Sequence, residues 1–219
     1  MMIYLITSFY AIYFFKQISL KKKNVDTNRL AKGNKPKNVV KLERFLLAFT
    51  YLTALLQYLS LFKFDFMGQV SNLSILKGTG ILVTLSGVLI FFLATTHMKE
   101  SWRAGIDKDQ TTDLITTGIY QYSRNPAFVG FDLFYLGVVL MLPNIVLFGS
   151  SLSTIFCVHL QILEEEKYLI DAFGESYIVY KRKVRRYIWK LVFFCIKDSF
   201  VWFYVAFQIY LLYNVKGWV

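Results

Sequence analysis

Charge, cysteine and histidine are scarce in this chain. Of 219 residues only 18% are charged, two are cysteine and two are histidine. Soluble domains carry roughly a quarter charged residues. The shortage here accompanies 56% hydrophobic and 18% aromatic content, arranged in long runs. That combination excludes a disordered chain, a fibrous repeat and an ordinary soluble globule. Cys157 and Cys195 both lie in apolar segments without a partner pattern, so neither a disulfide framework nor a metal site is supported. No internal repeat or glycine-rich nucleotide loop is present. Gly78-Thr79-Gly80 is a lone GxG that follows no strand and reads as helix packing. The first residues lack a basic n-region and a small-residue cleavage site, and read as a retained span.

What the chain does have is a set of stretches near the 20 or so apolar residues that a membrane helix needs. They are 1–18, 45–62, 73–96, 127–141 and 145–162, and Leu142-Pro143-Asn144 joins the last two as a tight hairpin. A sixth stretch, 191–213, is interrupted by Lys197 and Asp198. The expected fold is all-α: one polytopic domain over 1–219 with five spans and a sixth candidate. The net charge of +11 is uneven, with nine basic side chains in 21–44 against Asp26 and Glu43. Such a juxtamembrane cluster indicates the cytoplasmic side and an anionic lipid surface rather than nucleic acid. The loop after the second span, with Lys63 and Lys77 against Asp65, reads as external. The polar segments 98–126 and 163–190 then share the cytoplasmic face with 21–44, which is where a pocket is expected.

Two blocks carry chemistry. In the first, TTGIYQYSRNP (116–126), Asn125 and Pro126 suit the N-cap and first position of a helix. Such a start, with Arg124 beside it, favours a bound carboxylate or phosphate. An ordinary cap with an arginine reaching for lipid headgroups fits the same residues. In the second, LEEEKYLIDAFG (163–174), helical spacing puts Glu166 in the middle of a stripe made by Ile162, Leu169, Ile170 and Phe173. Glu165 falls at the stripe's edge and Glu164 on the opposite, solvated side. A carboxylate on a buried face needs a partner, either a ligand or a structural arginine. Gly174 then suits the position that closes the helix.

RNPAFVG (124–130), a hydrophobic hairpin and LEEEKYLIDAFGESYIVYKRKV (163–184), in that order and at that separation, resemble the isoprenylcysteine carboxyl methyltransferase family. That family is related to the phospholipid N-methyltransferases. SWRAGID (101–107) is similar to bacterial members, the family-like core runs over 97–187, and the tail 188–219 is unassigned. The resemblance implies a multi-pass membrane methyltransferase, in the cell membrane if bacterial. It further implies a cytoplasm-facing pocket that uses S-adenosylmethionine. By position, Gly118, Tyr120, Arg124, Asn125, Pro126, Glu165 and Glu166 become cofactor contacts. The chain departs from the family at Asn125, where many members have His, and at Phe128, where Tyr is common. It has His159 and Gln161 where eukaryotic members carry arginines.

Asp132 lies inside the fourth span, where an acid is functional by default, with His97 or Arg103 as candidate partners. A structural ion pair would account for it equally. Arg124, Asp132 and His97 are the catalytic candidates, and Trp102, Arg103 and His159 the substrate-side ones. Trp102 also suits an interfacial anchor. A carboxylate acceptor of the isoprenylcysteine type needs no general base. An amine or lipid headgroup would need one, from Asp132, Glu165 or His97. A sterol-reductase-like oxidoreductase, with its related arginine motif, and a non-catalytic scaffold or transporter are the remaining readings.

Overall fold

Residues 1–33, 35–62, 74–103, 105 and 113–187 are described by a computed structural model of the chain. The stretch 191–213, Cys195, Lys63, Asp65 and the rest of the tail lie outside them. Among the described residues six α-helices follow one another: α1 (Met2–Lys21), α2 (Lys37–Leu61), α3 (Ser74–His97), α4 (Pro126–Met141), α5 (Ile145–Phe173) and α6 (Glu175–Lys183). There is no β-strand among the described residues, and the all-α expectation is borne out. Three helices, α1, α3 and α5, are long and apolar enough to cross a membrane; α4 is apolar but shorter. The second expected span lies within α2, whose first turns carry the charges Lys37, Lys41, Glu43 and Arg44.

The α3–α4 pair is the tightest element of the bundle, and glycine at seven-residue spacing explains it. A Cβ added at Gly87 would meet Phe134 N at 2.6 Å and Gly130 O at 2.8 Å, and one at Gly80 would meet Met141 N at 2.6 Å. Without side chains at Gly80, Gly87, Gly130 and Gly137, the two backbones approach closely, as small residues allow between membrane helices. The α1 helix closes over this pair through Phe9, which stacks on Phe134 at 3.9 Å between ring centroids and lies 4.8 Å from Phe91. On the other side, α2 packs along α5, where Thr53 and Thr154 share a buried hydroxyl contact of 2.9 Å. The hairpin turn is held by Asn144, whose side chain accepts from Val146 N and Leu147 N.

At 1.5 Å per residue, the 29 residues of α5 extend for about 43 Å, against roughly 30 Å of hydrocarbon. The excess falls at the polar end, so about nine residues from Glu165 onward stand clear of the bilayer core. Gly174 stops the helix with φ 54°, as its position in the sequence suggested. The chain then runs back as α6, and residues 184–187 return across the start of α4. There Arg185 O accepts from Arg124 N at 2.8 Å and Arg186 O from Ser123 Oγ at 2.9 Å. The basic segment after α1 folds over the same end, where Lys35 Nζ donates to Arg29 O and Leu30 packs close to Gly105. All three polar segments therefore meet at one end of the bundle.

Candidate active site

A cavity of about 400 Å³ lies between α1, α2, the end of α3, the start of α4 and α5. It is two-sided in character. Its polar end is lined by Arg103, Tyr120, Arg124, Asn125, Gln161 and Glu165. Deeper in the bundle the walls are Phe9, Tyr13, Phe91, Phe131, Ala54 and Tyr58. Phe14 and Tyr51 also line it and are exposed on the outside of α1 and α2.

The two motif blocks are brought together at the polar end, with unequal roles. Glu166 is 3% exposed, as its place in the apolar stripe required. Its carboxylate is taken up by arginines on both sides. Arg124 Nη2 donates to Oε1 at 2.7 Å and Arg186 Nη2 to Oε2 at 2.9 Å. Burial alone would raise the Glu166 carboxyl, but the Arg186 and Arg124 bonds together hold it below its usual value. Arg124 is further fixed by donating to Val184 O at 2.6 Å and Lys181 O at 3.2 Å. Glu166 thus ties α5 to the start of α4, and it does not line the cavity. The structural arginine allowed for in the sequence is Arg124 itself, joined by Arg186.

Glu165 is the acid that faces the cavity. Burial, aided by the neighbouring Glu43 charge, pushes its carboxyl up to about 7, against the pull of Gln161 and Lys35. Gln161 Nε2 donates to Glu165 Oε1 at 3.1 Å and to Glu43 Oε1 at 3.2 Å. Glu43 in turn is fully buried and holds Lys35 Nζ at 2.7 Å and Ala31 N at 2.7 Å.

The other sequence candidates are distributed as follows. Asn125 is at the N-cap of α4, but its side chain makes no cap bond. Its amide donates instead toward Glu166 Oε1 and Arg186 O. The first-turn amides of α4 therefore receive no side-chain cap, and Ala127 and Phe128 of that turn line the cavity. Pro126 holds the first helical position, behind the cavity wall. Tyr120 lines the cavity and its carbonyl accepts from Tyr180 Oη at 2.6 Å. Gly118, at φ 63°, leaves room for the His97 ring, which a Cβ at that position would penetrate. His97 itself bonds back to Leu93 O and does not line the cavity.

Trp102 is 4% exposed and packs edge-on to Tyr13 in the cavity wall. The interfacial-anchor expectation for it is thereby corrected, because its indole is enclosed by α1. Arg103 lines the cavity and donates to Trp102 O. Asp132 and His159 are outside the cavity lining. His159 Nδ1 pairs with Tyr187 Oη at 2.6 Å, and Asp132 Oδ1 is buried without a partner among the described residues. Glu43, Lys35 and Tyr168 were missed in the sequence, and Gln161 was noted only as a departure. The signal available for Glu43 was an acid inside an otherwise basic juxtamembrane run. No group of histidine, cysteine and carboxylate side chains suited to a metal occurs among the described residues.

The phospholipid methyltransferase family profile matches residues 75–176, a range running from α3 into α6. The chain is 43% identical over 74 residues to the protein-S-isoprenylcysteine O-methyltransferase of Schizosaccharomyces pombe, covering 32% of this chain and 30% of that one. With the human protein of the same name it shares 29% identity over 158 residues, 69% of this chain and 55% of the relative. The Saccharomyces cerevisiae protein, also so named, is 39% identical over 80 residues, 35% of this chain and 33% of its own. The chain thus spans about a third to a little over half the length of these relatives. No solved structure matches it significantly. Family profile, relatives and the paired motifs agree in likening the chain to the isoprenylcysteine carboxyl methyltransferases and the wider phospholipid methyltransferase group.

Proposed function

We propose that this chain is an integral membrane methyltransferase that uses S-adenosylmethionine to methylate a lipophilic acceptor. The preferred acceptor is the carboxylate of an isoprenylcysteine-type C-terminus. One observation carries the reading: a single cavity joins a polar end lined from both motif blocks to a chamber with aromatic walls. The family names of the relatives in yeast and human support it.

The polar end suits the methyl donor's amino-acid group. The uncapped first turn of α4 offers amides and a positive dipole end to a carboxylate. Glu165 and Tyr120 offer acceptors to an ammonium or to hydroxyls. When bound, the cofactor would supply a sulfonium-borne methyl group, whose carbon bonds to an in-line nucleophile as its bond to sulfur breaks and the neutral thioether leaves. The chain's own residues position the partners and exclude water. The aromatic walls hold the apolar tail, with Phe14 and Tyr51 among them, and Arg103 and Arg124 bring positive charge to the lining where an acceptor carboxylate would sit. In this reading the polar end faces the cytoplasm, an orientation supported by the basic segment 21–44.

A second reading, N-methylation of a lipid headgroup, is favoured by Glu165. Of the three candidate bases it alone lines the cavity, and its carboxyl near 7 suits proton acceptance. The two readings separate when purified protein in lipid is given methyl-labelled cofactor with prenylcysteine or phospholipid acceptors. Base-labile label marks a methyl ester and base-stable label an amine. Absence of label from every acceptor would refute the enzyme reading.

A further inference from the structure

The buried polar chain running from the basic segment into the cavity has no role in the reading above. It begins at Lys35, which is 4% exposed and pairs with the fully buried Glu43. It continues through Gln161, 1% exposed, whose single amide nitrogen serves both Glu43 and Glu165. The amide orientation follows from these partners, because turning the oxygen toward two carboxylates would set three acceptors against one another. Among the described residues Gln161 Oε1 is consequently buried without a partner. Such an acceptor costs roughly as much as a lost hydrogen bond, so the arrangement serves something other than stability alone. Lys35 and Glu43 also lie outside residues 75–176, the range that the family profile matches.

We infer that Gln161, oriented by Glu43 and Lys35, is a positioning residue that aims Glu165 at the donor-bearing group of the ligand in the polar end of the cavity. The inference rests on the methyl-donor reading. Glu165 meets Gln161 from its own helix, Glu43 from α2, Lys35 from the covering segment and Tyr120 from the turn before α4, while Arg103 and Arg124 line the same end. The two halves of the buried ion pair act on Glu165 in opposite senses, Glu43 raising and Lys35 lowering its carboxyl. Seating the basic segment over the cavity therefore sets the charge of the acid that faces the ligand.

The test is the affinity for S-adenosylhomocysteine, measured by calorimetry in detergent from pH 5.5 to 8.5. In the unmodified protein, affinity should weaken as pH falls through the Glu165 titration. Lys35→Met should move the midpoint of that loss upward and Glu43→Gln downward, each by about half a pH unit or more. Gln161→Leu should move it upward as well, since Glu165 loses a donor. Opposite shifts from two partners of one ion pair are not produced by a scaffold defect, which would weaken binding at every pH. Should Lys35→Met fail to fold, Glu43→Gln and Gln161→Leu still predict opposite directions. Unmoved midpoints in variants of a protein that binds the probe would overturn the inference alone. No binding by the unmodified protein would overturn the methyl-donor reading and this inference with it.

Discussion

Replacing Glu166 by Gln keeps the side chain's shape and removes one charge from between two guanidinium groups. The structure makes this a stability experiment first. Glu166 and Arg124 have 4% and 7% side-chain exposure, and breaking a buried pair by neutralising one partner costs about 3–5 kcal/mol. Two features put this site at the low end. Arg186 is one third exposed, so water compensates part of its loss, and Arg124 keeps its bonds to Val184 O and Lys181 O. A loss of about 3 kcal/mol in a chain of this size lowers the melting temperature by roughly 6–12 °C. Glu164→Gln is the control, because its Lys167 partner is 69% exposed, and it should cost well under 1 kcal/mol. The pH dependence gives a second check. The Glu166 carboxyl is held low in the fold, so its contribution is present above the unfolded value near 4.3 and lost as pH falls through the folded one. The melting temperature of the unmodified protein should therefore drop in acid further than that of Glu166→Gln. Thermal unfolding in detergent by circular dichroism reads all three. Equal melting of Glu164→Gln and Glu166→Gln at neutral pH would refute the buried-pair reasoning.

Gly87→Ala should destabilise by about 1–3 kcal/mol or more, because backbone atoms on α4 block the new methyl. Gly78→Ala, with nothing within 4 Å of its Cβ, should be neutral or slightly stabilising, as alanine favours helix; melting curves compare the two. Gly118→Ala should lower stability through its positive φ and the His97 ring, and an unchanged melting temperature would sink that account. Glu165, with its carboxyl raised to about 7, contributes stability fully present below the unfolded value near 4.3 and lost as pH rises through 7. Glu165→Gln should accordingly flatten the fall in melting temperature between pH 5 and pH 8.

Much of the fold was legible because membrane spans are written in composition and length. The hairpin at Leu142-Pro143-Asn144, the α4 start at Pro126 and the stop at Gly174 all rest on local backbone chemistry, and each is where the sequence indicated. Helical spacing also placed Glu166 on a buried face. It did not reveal what lay opposite, because Arg186 arrives from 20 residues further on by a chain reversal that no local signal announces. Asn125 shows the same limit. A good capping residue turns away from its own helix when a carboxylate and a carbonyl nearby offer stronger partners. The Lys35–Glu43–Gln161 chain is more remote still, since Gln161 and Glu43 are 118 positions apart.

The acids at 165 and 166 show how one helix serves two purposes. Successive residues on a helix point about 100° apart, so adjacent glutamates cannot share a partner set. Glu166 looks toward α4 and α6 and spends its charge on Arg124 and Arg186. Arg124 is thereby immobilised beside the uncapped first turn of α4, and its own charge is largely neutralised. An anion at that turn consequently relies on the backbone amides more than on Arg124. Glu165 looks toward α2; its amide partner, Gln161 of the same helix, is shared with Glu43 of α2, and among the described residues no arginine pairs with it. It is the one of the pair that lines the cavity. The motif's paired glutamates therefore divide into one that ties α5 to the start of α4 and one that faces the cavity. Changing Arg124 should therefore act mainly by loosening the tie between α5 and α4, whereas changing Glu165 alters the cavity lining directly.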